Sequence, residues 1–125
     1  MRFKQYLVTE MTQKELVDLE IFADRLLKKF NIDIEFTRHF LERVNNSRNN
    51  PEIVVTELQR FFKKIKKQKG SNIKRMGDME VVLKDMQTDI NFPVVIDYKD
   101  GEFVVTHKTI MRKKEFKTSN KVVKY

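Results

Sequence analysis

The hydrophobic spacing of this chain changes near Gly77. Before that residue, apolar side chains recur every three or four positions in two long stretches, which is the period of an amphipathic helix. After it come short runs rich in valine, isoleucine and phenylalanine, and the Asp100-Gly101 pair between two of them is typical of a two-residue hairpin turn. This order predicts an α+β fold, in which N-terminal helices pack on one face of a small, twisted antiparallel sheet.

Local signals indicate where the first helices begin and end. Thr12 and Glu15 have the spacing of a capping box, so the first helix is expected to begin there and to end at Asn31. Residues 32–36 alternate apolar and acidic side chains, which predicts either a short strand or an extended entry to the next helix. Thr37 can cap that next helix.

An asparagine-rich loop, residues 45–51, separates this region from a second long helix. That helix is expected from about residue 56 to residue 69, with lysines on its outer face, and Gly70 ends it. Strands are expected at residues 79–83, 92–98 and 102–111.

The composition restricts the class of protein. With 125 residues, 40% of them hydrophobic, the chain is expected to form a single domain, residues 1–125. The absence of cysteine excludes disulfide bonds, thiol catalysis and thiolate metal sites. No apolar run is long enough to span a bilayer, so no membrane partner is expected. The sequence has no glycine-rich phosphate loop and no acids and histidines at ligand spacing, so neither a metal nor a cofactor is expected.

The net charge of +8 is unevenly distributed. Residues 60–76 contain eight lysines and arginines and no acidic residue, and the segment from residue 101 onward has a second basic excess. If both segments lie on one face, they form a surface for phosphates; for the first segment the alternative is a solvated lysine-rich helix. The residues predicted to bind RNA are Arg48, Arg60, Lys63, Lys64, Lys66, Lys67, Lys113, Lys114 and Lys117. Residues 113–125 are predicted to form a basic tail that either stacks its aromatic side chains on bases or, after Lys117, frays.

His39 and Arg43 are the most informative pair for chemistry. They are four residues apart on an expected helix, so their side chains lie on one face. Histidine exchanges a proton near neutral pH, and arginine can hold two phosphate oxygens at once. The alternative is a half-buried histidine at the edge of a helix, with Glu42 in an ordinary ion pair nearby.

The stretch from Arg38 to Arg43 is followed by the loop with Arg48, a helix, a small sheet and a last strand that ends in residues 109–114. In this order of motifs, residues 33–120 resemble the RelE-like ribonucleases of the barnase/EndoU/colicin/RelE class, and in particular the RegB-type phage endoribonucleases. The resemblance implies metal-independent cleavage of RNA. The 2′-hydroxyl attacks the adjacent phosphate and leaves a 2′,3′-cyclic phosphate and a free 5′-hydroxyl.

The same resemblance assigns the candidate catalytic residues. His39 matches the helix histidine of the family and Arg43 its phosphate-binding arginine, while Thr109 and Arg112 match polar residues of the last strand that face the phosphate. Alternation along that strand puts His107 on the same face as Thr109. His107 is therefore either a second proton carrier or an exposed strand residue.

RNA, either messenger or transfer RNA, is the expected partner, free or on the ribosome, and the host cytoplasm is the expected location. The N-terminal residues resemble leader peptides of phage internal head proteins. This resemblance implies a leader at residues 1–11 and packaging into the capsid, in the virion head. An ordinary N-terminal arm is the alternative.

Two other functions remain open: a non-catalytic RNA- or ribosome-binding module, and a virion or host-takeover protein that binds an acidic partner. The oligomeric state is left open.

Overall fold

The structure is a computed structural model that describes residues 10–125. The leader hypothesis for residues 1–11 therefore falls almost entirely outside the described residues. Within the described part, the helical elements are α1 (Gln13–Leu27), a 3₁₀ turn (Lys28–Phe30), α2 (Phe40–Val44), α3 (Val55–Lys67) and α4 (Ser71–Met76).

A single sheet contains the strands β1 (Ile32–Phe36), β2 (Met79–Asp85), β3 (Ile90–Lys99), β4 (Glu102–His107), β5 (Met111–Arg112) and β6 (Lys121–Lys124). Their order across the sheet is β1-β4-β3-β2-β6, and β5 pairs with the start of β3. The central strands are antiparallel, whereas each edge strand runs parallel to its neighbour, β1 to β4 and β6 to β2. The predicted α+β class is confirmed.

Helices α1 and α3 cover one face of the sheet. Along β3, the alternate residues Ile90, Phe92, Val94 and Ile96 are buried in one hydrophobic cluster together with side chains of both helices. Phe61 of α3 stacks on Phe92, with ring centroids 4.0 Å apart. Burying an aromatic side chain of this size contributes on the order of 2 kcal/mol, so this face holds the main core.

The predicted ends of α1 are confirmed. The backbone N–H of Glu15 donates to the Thr12 hydroxyl (3.1 Å), and the Thr12 N–H donates to the Glu15 carboxylate (2.9 Å). Asn31 ends the helical region with a left-handed backbone, φ 61°. Gly70 separates α3 from α4 at φ 64°, and a Cβ there would overlap the side chain of Ile32 at the start of β1.

The last predicted strand is shorter than expected. Asp100 and Gly101 form the expected hairpin turn with positive φ, but β4 ends at His107 rather than at residue 111. The N–H of Lys108 donates to the carbonyl of Pro93 (3.1 Å), and the reciprocal bond cannot form because proline has no N–H. The chain leaves the ladder at this point and pairs again with β3 only at β5.

The C-terminal residues form part of the sheet, so the predicted frayed tail after Lys117 is wrong. β6 pairs with β2, and Tyr125 exchanges backbone hydrogen bonds with Lys84 and Met86. The Tyr125 ring meets Phe61 edge-on at 5.3 Å, and burial raises the pKa of its hydroxyl to about 12. The C-terminal residues therefore form an edge strand and a ring packed against the core, and not the predicted free basic tail.

Candidate active site and basic surface

His39 and Arg43 lie on the outside of α2. Phe40 and Val44 of this helix are buried, whereas the side chains of His39 and Arg43 face solvent. The imidazole is 60% exposed, and its Nδ1 lies 3.7 Å from the carboxylate of Glu42. The N–H of Arg43 donates to the His39 carbonyl (3.1 Å), which confirms that the pair is separated by one helical turn.

Helix α2 is held at both ends against the segment that follows β4. At its start, the Thr37 hydroxyl donates to the carbonyl of Lys108 (3.1 Å), so the prediction that Thr37 caps the helix is wrong. At its end, the buried side chain of Asn49 donates to the Arg43 carbonyl (3.1 Å) and accepts from the N–H of Arg112 (2.8 Å). The two distant stretches singled out in the sequence therefore meet.

Asn49 was missed by sequence reasoning. It is 4% exposed and connects the end of α2 to β5 through both atoms of its amide. It lies in a loop that contains several asparagines, and nothing in the sequence separates the buried one from its neighbours.

Arg112 does not have a guanidinium free for phosphate. All five of its N–H groups are used: they donate to both carboxylate oxygens of Glu57 (2.8 and 3.0 Å) and to the carbonyls of Pro51, Glu52 and Thr88. The side chain is 11% exposed. The catalytic role predicted for Arg112 is therefore contradicted, because the residue ties β5 to the start of α3.

His107 is a core residue and neither of the alternatives predicted for it. It is fully buried among four phenylalanine rings, with centroids 5.4 to 6.1 Å from its own, and neither ring nitrogen has a hydrogen-bond partner within the described residues. Burial lowers the pKa of this imidazole to about 3. A second proton carrier at His107 is ruled out, since it has no access to a substrate.

One predicted RNA-binding lysine is also structural. The amine of Lys64 lies 2.5 Å from the carboxylate of Asp85, which is 0% exposed and also accepts from Thr88. A buried carboxylate needs such a partner. Lys64 therefore holds α3 to the end of β2.

The remaining predicted cations are exposed. Lys113 and Lys114 point into solvent, although their carbonyls accept from the buried amine of Lys84 (3.1 and 3.0 Å). Arg48 and Lys117 are exposed and Thr109 is partly exposed. We define the α3–α4 basic surface as the exposed cations of these two helices and their junction: Arg60, Lys63, Lys66, Lys67, Lys69, Lys74 and Arg75.

The α3–α4 basic surface extends away from His39. The first turn of α3 contains Glu57, which binds Arg112 beside α2, whereas Gly70, beyond the end of α3, contacts Ile32 at the start of β1. A helix of this length spans about 20 Å. The later lysines therefore lie towards the opposite end of the molecule from His39.

A group of carboxylates on α1 and β1 was not predicted. The Asp24 carboxylate accepts from the N–H of Ile34 (2.7 Å), and that of Glu20 accepts from the N–H of Phe36 (3.3 Å). Burial, and to a smaller extent the nearby charge of Asp33, raises the pKa of Asp24 to about 6. These carboxylates accept hydrogen bonds from N–H groups at the free edge of β1, so their role is structural.

The residues that the structure describes contain no cluster of three potential metal ligands, and none of their helices is long and apolar enough to cross a membrane. No protein-family model, curated protein or solved structure matches the chain. The RelE-like relationship, and the roles drawn from it for His39, Arg43 and Thr109, therefore stay predictions.

Proposed function

We propose that this protein is a metal-independent endoribonuclease whose catalytic residues are His39, Arg43 and Thr109. The observation that carries the proposal is the attachment of α2 to the segment after β4 at both of its ends, through Thr37 and Asn49. These bonds fix the helix that bears the exposed His39 and Arg43 to Lys108 and Arg112, which lie on either side of the partly exposed Thr109 in the chain.

The reaction assigns one task to each side chain. Neutral His39 accepts the proton of the 2′-hydroxyl as the 2′-oxygen bonds to phosphorus, and the bond from phosphorus to the 5′-oxygen breaks. The imidazolium then returns the proton to the 5′-oxygen, so that one histidine acts as base and as acid. Arg43 binds the non-bridging oxygens, whose negative charge grows in the transition state, and the Thr109 hydroxyl donates to one of them. The products are a 2′,3′-cyclic phosphate and a 5′-hydroxyl.

The test is cleavage of RNA by purified protein in EDTA, with the product ends identified. We expect cyclic phosphate ends, and a loss of roughly 10² to 10⁴-fold in rate for His39→Ala, the range that general acid–base catalysis contributes. Arg43→Ala should also lower the rate, whereas Arg25→Ala, which removes an exposed arginine from α1, should not. If wild type and His39→Ala degrade messenger, transfer and ribosome-bound RNA equally slowly, the protein is not this enzyme.

The second candidate is a non-catalytic RNA-binding module. It is favoured by the structural use of His107 and Arg112, which leaves His39 as the one histidine with access to solvent in the described chain. This candidate predicts salt-dependent binding of RNA through the α3–α4 basic surface without any change in the RNA. The same assay therefore separates the two.

A further inference from the structure

An open groove of about 1040 Å³ lies between the second half of α1, the 3₁₀ turn and the end of α3. Ile21, Phe22 and Leu26 line it, and Ile21 is 45% exposed. Val17, one helical turn before Ile21, is 44% exposed and extends the apolar stripe along α1. Two adjacent aliphatic side chains that face solvent beside a groove indicate a surface that binds apolar groups.

Cations lie at the end of this apolar stripe that is nearest the 3₁₀ turn. Arg25, Lys28, Lys29 and Lys66 line the same groove, and none of the four forms an ion pair with any residue in the described range 10–125. The one acid in the lining, Asp18, is paired with Lys14 at 3.1 Å. The groove therefore presents an uncompensated positive charge next to an apolar surface.

This combination favours a protein segment over RNA. A nucleic acid strand gains from the cations and from aromatic stacking, but it offers no aliphatic groups to bury against Val17 and Ile21. An amphipathic helix satisfies both features, because its apolar stripe can pack on the aliphatic pair while glutamates or aspartates on its flanks pair with the lysines.

We propose that the groove between α1 and α3 binds an acidic amphipathic helix of a partner protein. The cationic end of the groove is separate from the proposed catalytic residues: α1 begins beside α2, where Met11 exchanges hydrogen bonds with Asn45, and Arg25 lies about 18 Å further along the helix axis. Only Val17, at the near end of the apolar stripe, lies close to Thr37 and Arg38. The inference therefore stands whether or not the protein cleaves RNA.

Selection of binders from a random-peptide display library, with the whole protein as target, tests the proposal. The selected peptides should carry acidic residues together with leucine, isoleucine or phenylalanine at helical spacing. Their affinity, measured by fluorescence anisotropy, should fall about tenfold or more with Ile21→Glu and with Lys28→Glu/Lys29→Glu. A matched charge change on the opposite sheet edge, Lys121→Glu/Lys124→Glu, should leave it unchanged. Circular dichroism of each variant checks that it is folded.

Three results with peptides would overturn the proposal: the selected peptides lack acidic residues, Ile21→Glu does not weaken their binding, or the variants on both sides of the molecule weaken binding equally, as expected for nonspecific attraction. A result with RNA would overturn it as well. Single-stranded RNA that binds wild type but not Lys28→Glu/Lys29→Glu, and that no selected peptide displaces, would assign the groove to nucleic acid instead.

Discussion

At the scale of single residues, His107 connects stability to pH. Its imidazole has a pKa of about 3 in the folded protein, because burial disfavours the charged form, against an ordinary value of 6.5 in the unfolded chain. Between these values the unfolded state binds a proton that the folded state does not. The free energy of unfolding must therefore fall as the pH drops from about 6.5 towards 3, by up to about 1.4 kcal/mol per pH unit from this group.

Replacing His107 should remove this acid sensitivity. The ring has no hydrogen bonds with residues 10–125 to lose and is surrounded by phenylalanines, so His107→Phe or the smaller His107→Leu should keep the fold. In urea unfolding at pH 7 and pH 5, we expect a smaller difference between the two values for these variants than for wild type. Phe62→Leu serves as control, since it alters the same aromatic cluster without removing a titratable group and should keep the wild-type difference. A wild-type pH dependence in both His107 variants would contradict the assignment.

Asp24 acts in the opposite direction and must be considered in the same titration. Its pKa is raised to about 6 by burial, so the folded state holds a proton that the unfolded chain has lost between about pH 4 and 6. Its contribution to stability is present at low pH and is lost as the pH rises through 6. Because Asp24 is unchanged in the His107 variants, the difference between variant and wild type isolates the imidazole.

At the scale of elements, β6 and Tyr125 should contribute measurably to stability. Val123 and Tyr125 are partly buried against the core, and full burial of a side chain of this kind contributes roughly 2 kcal/mol. Removal of residues 118–125 should therefore lower the free energy of unfolding by about 3 kcal/mol or more, as measured in urea. The control is Lys121→Gln/Lys124→Gln, which changes exposed side chains only and should stay within about 0.5 kcal/mol. Unchanged stability after truncation would mean that the segment does not pack as described.

What could be predicted at this scale depends on how local the signal is. The capping box at Thr12 and the Asp100-Gly101 hairpin involve residues a few positions apart, and both were predicted correctly. The parallel pairing of β1 with β4 and of β6 with β2 joins residues far apart in the chain, and β6 is a short strand within a lysine-rich stretch. The same limit applies to the candidate site, since no local pattern reveals that Arg112 binds Glu57.

At the scale of the whole molecule, the distance between the α3–α4 basic surface and the proposed catalytic residues limits which substrates can contact both. Phe62, in the middle of α3, contacts the rings of Phe36 and His107, so the helix starts near α2 and leads away from it towards Ile32. A dinucleotide bound at His39 is too short to contact Lys66 or Lys67. A longer strand can contact both regions, because successive phosphates can follow the helix.

Neutralising this surface should therefore affect long substrates only. For Lys63→Gln/Lys66→Gln/Lys67→Gln we expect a higher KM on long single-stranded RNA, an unchanged kcat, and no effect on a dinucleotide. The slope of log K against log salt should decrease by about 2, since each phosphate contact on a single strand contributes roughly 0.7. The matched variant Lys14→Gln/Lys99→Gln/Lys124→Gln removes the same charge elsewhere and should change neither quantity. Equal effects on the dinucleotide and the long RNA would contradict this prediction. They would show that these lysines influence the reacting phosphate itself, either through the net charge of the protein or because they lie closer to His39 than the length of α3 implies.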